Sequence, residues 1–379
     1  MSSMVRMTLN SRRIYAAILV TSALAGGAAF PAAAQDWNGG QDLVARQPGA
    51  LDAAIARWET LQASRTHSFA DYAGFVLAYP TFPKTDILRL RAEAALENEA
   101  PSQAEVLRFF DAHPPLTNAA RARYALALAA MQRPEAPAEA RKAWRGGQMA
   151  DPVELYLSGL YGAQFTPEDH AVRVDALLWQ GKADAASRMV VNLPEEARAM
   201  ALARIALLRG ARPEASGLAV PEGAEADPGY VFNLVKFLRS SGQNYEAARV
   251  FTSRPAFVRP ARDPEAFVGQ LLGLAEDLGP SEAAQIAARS TDLFAPDAAL
   301  SEASFTLRDR LTDLMWKGGT NAPWRLGDGA TAAPLFARYG DAAKTPLTKA
   351  KGWYWAGRAA RPAQYQPLAL VRGVLAASP

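Results

Sequence analysis

Short stretches of helically spaced apolar residues, each closed by proline or glycine, restrict the fold of this chain more than any other sequence feature. Apolar residues recur three and four positions apart, the spacing of one α-helical face, and no long alternating run predicts a strand. Three such stretches carry Leu51, Ile55, Trp58 and Leu61; Phe69, Tyr72, Phe75, Val76 and Tyr79; and Val106, Phe109 and Phe110. Proline follows the last two stretches, at Pro80 and Pro114, and cannot continue a helix. The sequence therefore predicts an all-α protein.

Residues that begin and end helices support this prediction. A capping oxygen precedes proline at four positions: Asp151, Thr166, Asp227 and Asp263. Proline is tolerated at the first helical position because its missing N–H would have no partner inside the helix. Asp169, three residues after Thr166, completes a predicted capping box. Glycines that can adopt the left-handed conformation of a helix end are Gly146, Gly147, Gly181 and Gly242.

Two segments look like one type of helical hairpin. Residues 180–186 and 242–248 each place alanines shortly after a glycine, as tetratricopeptide-type hairpins do. No strict period of about 34 residues survives, so any repeats are degenerate. We predict a superhelical solenoid of degenerate tetratricopeptide-like hairpins. The longest breaks, 217–226 and 252–262, are too short to predict a domain boundary.

The N-terminus has the pattern of an export signal. Residues 1–34 combine three arginines and no acidic residue with an apolar stretch at 14–25 and the triplet AAA at 32–34. We predict a signal peptide cleaved near Gln35, a periplasmic location and a short N-terminal extension at 35–45. Arg12 and Arg13 leave open whether the route is the general or the twin-arginine one.

Composition narrows the possible partners. The chain has 41 basic and 38 acidic residues, and without the three arginines of the signal the two signs balance. We therefore expect no nucleic-acid partner. No later apolar run approaches a membrane-spanning length, and the chain has no cysteine to carry a lipid, so we expect no membrane anchor.

The sequence carries no catalytic pattern. Its histidines, His67, His113 and His170, are far apart and lack a second ligand at metal-binding spacing; His113 is expected to end a helix. Glycine-rich phosphate loops and nucleophile elbows are missing. The adjacent carboxylates 195–196 and 276–277 read as solvated helix faces. We predict no catalytic, cofactor-binding or metal-binding residue.

The tryptophans admit two interpretations. They are spread along the chain, at Trp58, Trp144, Trp179, Trp316, Trp324, Trp353 and Trp355. A tryptophan on a solenoid helix usually packs between hairpins. A sugar-stacking surface is the alternative.

Several segments in order resemble one known family. They read AWRGG at 143–147, TPEDH at 166–170, LLWQG at 177–181, LMW at 314–316, FARY at 336–339 and KGWYWAGR at 351–358. This text, over residues 45 to 360, is similar to the N-terminal region of soluble lytic murein transglycosylases. The resemblance implies a U-shaped superhelical domain at 46–345, the start of a linker region at 346–360, and peptidoglycan glycan strands as partner.

The same resemblance implies an activity that depends on sequence motifs missing from this chain. Family members cleave the MurNAc–GlcNAc bond to 1,6-anhydro products with a glutamate of a lysozyme-like domain, in an E-S pair followed by G-L-M-Q. Neither motif occurs in this sequence. We expect residues 361–379 to be a truncated or frameshifted tail, or else the end of a genuine non-catalytic paralogue. The predicted function is a substrate-guiding scaffold, inactive alone. The alternatives are a periplasmic adaptor that binds other envelope proteins, and an enzyme with an unrecognised site.

Overall fold

The computed structural model describes residues 49–325 and 328–360, and within these residues the chain forms helices and no strand. The helices, in chain order, are α1 Ala50–Ala63, α2 Phe69–Ala78, α3 Thr85–Ala95, α4 Gln103–Ala112, α5 Asn118–Ala130, α6 Ala136–Arg145, α7 Asp151–Tyr161, α8 Pro167–Trp179, α9 Ala183–Met189, α10 Glu195–Leu208, α11 Pro228–Ser240, α12 Asn244–Ser253, α13 Pro264–Asp277, α14 Pro280–Arg289, α15 Phe305–Arg325, α16 Gly329–Ala342 and α17 Pro346–Ala359. The prediction of an all-α fold is confirmed.

Helices contact their neighbours in the chain. The larger interfaces join each helix to the next, as in α5 with α6 and α16 with α17, or to the one after, as in α6 with α8 and α13 with α15. The buried side chains accordingly form successive local clusters along the stack, from Leu61 in the first to Ala356 in the last. This pattern of neighbour contacts is that of a helical solenoid.

The predicted caps are mostly where the sequence placed them. The side chains of Asp227 and Asp263 accept hydrogen bonds from backbone N–H groups three residues on, at 2.8 and 2.9 Å. Thr166 and Asp169 form the full capping box. Asp151 is a correction: the backbone is already helical there, so α7 begins one residue earlier than predicted and Asp151 makes no capping bond. Its carboxylate lies in the positive first turn instead.

Glycines end helices as predicted. Gly147, Gly181 and Gly242 have φ angles of 91°, 72° and 72°, the left-handed region that a β-carbon disfavours. Gly146 departs from the group: it is the right-handed C-cap of α6. A β-carbon on Gly146 would lie 1.8 Å from the side-chain oxygen of Asn118, so this glycine is needed for close packing.

The first helix forms as predicted, but its apolar face is only partly covered. Leu61 and Trp58 pack inward, whereas Leu51 and Ile55 on the same helical face are 59% and 38% exposed. Within the described residues only α2 contacts α1 substantially, so only the C-terminal half of that face is covered. The predicted segments 1–34, 35–45 and 361–379 lie outside the described residues. Among residues 49–325 and 328–360, none of the helices combines the length and apolar character needed to cross a membrane.

Three buried arginines, Arg173, Arg204 and Arg254, join different parts of the stack in a way the sequence did not predict. Arg173 of α8 is fully buried, with its guanidinium 4.2 Å from the centre of the Trp144 ring. It donates to the carbonyl oxygens of Trp144 and Gly147 and pairs with Glu154 at 2.7 Å. The segment 143–147, which carries part of the family resemblance, is therefore held by an arginine that follows another such segment, 166–170.

Candidate functional site

The three consecutive aromatic residues at 353–355 lie in different environments. Successive helical residues point about 100° apart, so one run cannot face a single surface. Trp355 turns inward, 6.3 Å from the ring centre of Trp316 and 6.2 Å from that of Phe336. Tyr354 is 44% exposed, and Trp353 is half-buried at the edge of a groove.

A very close helix crossing places Trp353 at this groove. A β-carbon on Gly352 of α17 would lie 2.6 Å from the backbone nitrogen of Gly340 in α16. A β-carbon on Gly340 would lie 3.1 Å from Nε1 of Trp353. The two helices can approach this closely because both Gly340 and Gly352 lack a β-carbon. The approach places the indole ring against the C-terminal end of α16.

The groove has a cavity volume of about 370 Å³. One wall is the loop at 296–301, and the other is formed by the C-terminal end of α16 and by α17. Its polar side chains include Arg338, Asp341, Lys349 and Ser301, with Trp353 as the aromatic member. Its volume falls within the usual range of about 300–1,000 Å³ for ligand sites in proteins.

The charges in the groove are mainly positive. Arg338 donates to the carbonyl oxygen of Thr291 at 3.4 Å, while its buried Nε has no partner among the described residues. Desolvation raises the pKa of the Asp341 carboxyl group, and the nearby Arg338 and Lys349 act against that rise. Two cations and one carboxyl group therefore share the rim with the indole.

This arrangement suits binding better than cleavage. An indole face with several hydrogen-bonding side chains can hold a sugar ring. Hydrolysis of a glycosidic bond by the usual route needs a positioned acid and, in most families, a second carboxylate about 5–9.5 Å away. Among the described lining residues Asp341 is the single carboxylate. The groove thus has the features of a recognition surface.

The predicted histidines lie apart. His113 is the C-cap residue of α4, as expected, and burial and the charge of Arg89 lower the pKa of its imidazole. His170 lies beside Trp144, whose Nε1 donates to its Nδ1 at 3.4 Å. His67 packs edge-on against Tyr72. In the part of the chain that the structure describes, no three His, Asp or Glu side chains come together to hold a metal ion.

The tryptophans differ in how deeply they are buried. Trp144 and Trp179 are 3% and 4% exposed, which fits packing between hairpins. Trp58 and Trp316 are partly buried within clusters, and the side chain of Trp324 lies outside the described residues. Among the tryptophans whose side chains the structure describes, Trp353 is the one that lines the groove.

Sequence reasoning missed the charged members of this groove. Arg338, Asp341 and Lys349 lie in ordinary helical sequence and belong to no motif that indicates a site. The pair Gly340 and Gly352 was the available signal, since small residues inside two consecutive helices indicate a close crossing. The exposed carboxylate pairs 195–196 and 276–277 take no part in the groove.

Comparisons of the chain with protein-family models, with curated proteins and with solved structures found no match. The resemblance to soluble lytic murein transglycosylases therefore stays a prediction from the sequence.

Proposed function

We propose that this chain is a substrate-guiding scaffold of periplasmic peptidoglycan lytic transglycosylation, and that it binds glycan strands without cleaving them. The groove beside Trp353 is the observation that carries the proposal. It combines a partly exposed indole with Arg338, Lys349 and Asp341, and the indole belongs to the segment 351–358, whose sequence resembles the family.

Charge and shape support this choice of ligand. Glycan strands of peptidoglycan offer pyranose rings for stacking, hydroxyl groups for hydrogen bonds and carboxylates for two basic side chains. A groove open to solvent admits a long polymer, whereas a closed cavity would admit only a fragment. The solenoid-like stack supplies a rigid frame for such a surface.

Co-sedimentation with purified peptidoglycan sacculi tests the proposal. Trp353→Ala should weaken binding about fivefold, the equivalent of the ~1 kcal/mol that an aromatic stacking contact contributes. Tyr354→Ala is the matched control, because Tyr354 is an exposed aromatic on the same helix outside the groove lining. Equal binding by the two variants, or no binding by the unmodified chain, would contradict the proposal.

Absence of cleavage is the second part of the proposal. The purified chain should release no 1,6-anhydromuropeptides, because the E-S and G-L-M-Q motifs that carry the family's catalytic acid do not occur in this sequence, and the groove's one carboxyl group, Asp341, lies near Arg338 and Lys349, which favour its ionised form. Mass spectrometry of the soluble products is the measurement. Anhydro products from a preparation free of host enzymes would overturn the non-catalytic assignment.

Export belongs to the same proposal. The charge pattern of residues 1–34 and the alanine triplet support secretion to the periplasm with cleavage near Gln35. N-terminal mass spectrometry of the protein from fractionated cells tests this step. An intact Met1 in the mature pool would argue against export.

An adaptor that binds envelope proteins is the second candidate. One observation favours it: α7 exposes Leu155, Tyr156 and Leu160, at 73%, 65% and 56%. These residues lie within about 140° of one another around the helix, so they form one apolar face. If Leu155→Ser abolishes recovery of envelope proteins while sacculus binding is absent, the adaptor function replaces the scaffold.

A further inference from the structure

The groove beside Trp353 has an excess of positive charge. Its lining residues include two basic side chains, Arg338 and Lys349, and one acidic side chain, Asp341. Within the described residues, neither of the two cations forms an ion pair or a hydrogen bond with a carboxylate. The lining therefore has one positive charge more than it has negative charges, and both cations are available to an anionic ligand.

Nearby carboxylates outside the lining do not remove this excess. Glu302 follows the loop that forms one wall, but its carboxylate pairs with Lys344 at 2.6 Å. Among the cations that lower the pKa of Glu302, Lys344 has the largest effect and Lys349 the smallest. Asp297 lies on the loop itself, and it is not among the residues that line the groove.

Both cations lie beside the indole ring. Lys349 precedes Trp353 by four residues in α17, so the two side chains share one face of the helix. Arg338 comes from α16, where its guanidinium carbon lies 5.6 Å from the centre of the Phe294 ring and its Nη2 donates to the carbonyl oxygen of Thr291 at 3.4 Å. Its Nη1 makes no hydrogen bond within the described residues. The groove thus offers a stacking surface next to two donors for an anion.

One sugar of peptidoglycan matches this combination. The lactyl group of N-acetylmuramic acid is a short branch on the pyranose ring, and it ends in a carboxyl group. In strands that carry stem peptides this carboxyl group is bound as an uncharged amide, whereas removal of the peptide leaves a carboxylate close to the ring. The groove volume of about 370 Å³ is the space of about twelve water molecules, which suits one sugar residue better than a sugar together with its peptide.

We propose that the groove recognises muramic acid residues whose lactyl carboxylate is free, so that the chain prefers glycan strands without stem peptides. The pyranose ring lies against Trp353, and the carboxylate pairs with Arg338 and Lys349 through charge-assisted hydrogen bonds. This inference rests on the proposed function, to which it adds the charge that the bound sugar must carry.

Three soluble glycan ligands of matched length test the proposal by isothermal titration of the full chain. The first is made by an amidase that removes the peptides and leaves free lactyl carboxylates. The second is the same material with its carboxylates converted to amides by carbodiimide and ammonia. The third retains its stem peptides, with the cross-links cut by an endopeptidase. The first should bind about fivefold more tightly than the second, the upper range for a partly exposed charge pair, and more tightly than the third.

Variants of the groove separate charge from stacking. Lys349→Gln should abolish most of the preference for free carboxylates and leave the affinity for amidated strands unchanged. Arg358→Gln is the matched control, because Arg358 is an exposed cation on the same helix outside the groove lining. Asp341→Asn removes the competing carboxyl group and should strengthen binding of the free-carboxylate strands about two- to fivefold. A folding defect would not produce such a gain.

The outcomes distinguish this inference from the proposed function. Opposite shifts in Lys349→Gln and Asp341→Asn, with Arg358→Gln unchanged, support the inference. Equal binding of free and amidated strands, with both weakened by Trp353→Ala, would overturn the inference and leave glycan binding in place. Binding of peptide-bearing strands as tight as that of free-carboxylate strands would overturn it as well. No binding of any strand would overturn both proposals.

Discussion

Trp179 offers the sharpest test of how the stack is held together. The residue is 4% exposed, and its ring stacks on Phe232 with centres 4.5 Å apart and planes inclined by 23°. Phe267 packs against it edge-on at 6.1 Å. Trp179→Ala removes a buried aromatic and leaves a cavity, so it should lower the free energy of unfolding by about 3–5 kcal/mol.

The indole nitrogen refines this prediction. Nε1 of Trp179 is buried and finds no acceptor among the described residues. Leaving such a donor unpaired costs about 1–3 kcal/mol, and phenylalanine at the same place keeps the stacking while it removes the donor. The loss of part of the ring and the removal of this cost oppose each other. Trp179→Phe should therefore change stability by no more than about 1 kcal/mol.

Trp144 provides the matched control. It is 3% exposed and stacks on Phe165 at 4.6 Å and 22°, almost the same packing as Trp179. Its Nε1, however, donates to His170, so Trp144→Phe loses a hydrogen bond as well as ring area. We expect Trp144→Phe to cost about 1–3 kcal/mol more than Trp179→Phe.

Urea unfolding followed by circular dichroism at 222 nm measures all three variants against the unmodified chain. An unchanged midpoint for Trp179→Ala would refute the core placement of Trp179. A Trp179→Phe variant as unstable as Trp179→Ala would refute the argument from the unpaired nitrogen.

Two further predictions concern a buried ion pair and the crossing of the last two helices. Burial raises the pKa of Asp292, but the hydrogen bonds and charge of the buried Arg254 outweigh it and the pKa is lowered overall. A carboxyl group whose pKa is lowered by folding stabilises the protein at pH values above the ordinary pKa near 3.8. This stabilisation is lost as the pH falls through the pKa of the folded state. Asp292→Asn removes the group and should therefore flatten the decline of the urea midpoint between about pH 5 and pH 2. Gly352→Ala should lower the free energy of unfolding by about 1–3 kcal/mol, because the new β-carbon meets backbone atoms of α16 that must move. Gly159→Ala in α7 meets nothing within 4 Å and should raise it by about 0.5–1 kcal/mol; equal effects of the two glycine variants, in a thermal or urea melt, would contradict the close crossing.

The local features of this protein could be predicted from the sequence because their causes lie within a few residues. The capping side chains of Asp227, Asp263 and Thr166 each accept a hydrogen bond from the backbone N–H three residues later. Gly147 and Gly181 end helices through their own backbone angles. Helical spacing of apolar residues likewise depends only on neighbours one and two turns away. These local rules are sufficient to determine an all-α chain of short stacked helices.

What tertiary structure decided depends on partners far apart in the chain. Helical spacing shows which side chains share a face, but the neighbouring helix decides whether that face is covered, and so Leu51 and Ile55 are exposed. Arg204 lies within the apolar sequence ALARIALL, which indicates an unusual environment for an arginine. Its partners Asp175 and Asn233, however, lie 29 residues before and after it in the chain. Arg262 reaches a carbonyl group 117 residues earlier in the chain. The groove beside Trp353 likewise brings together the loop at 296–301, α16 and α17, because side chains that meet in space need no relation in sequence beyond the stacking of the helices that carry them.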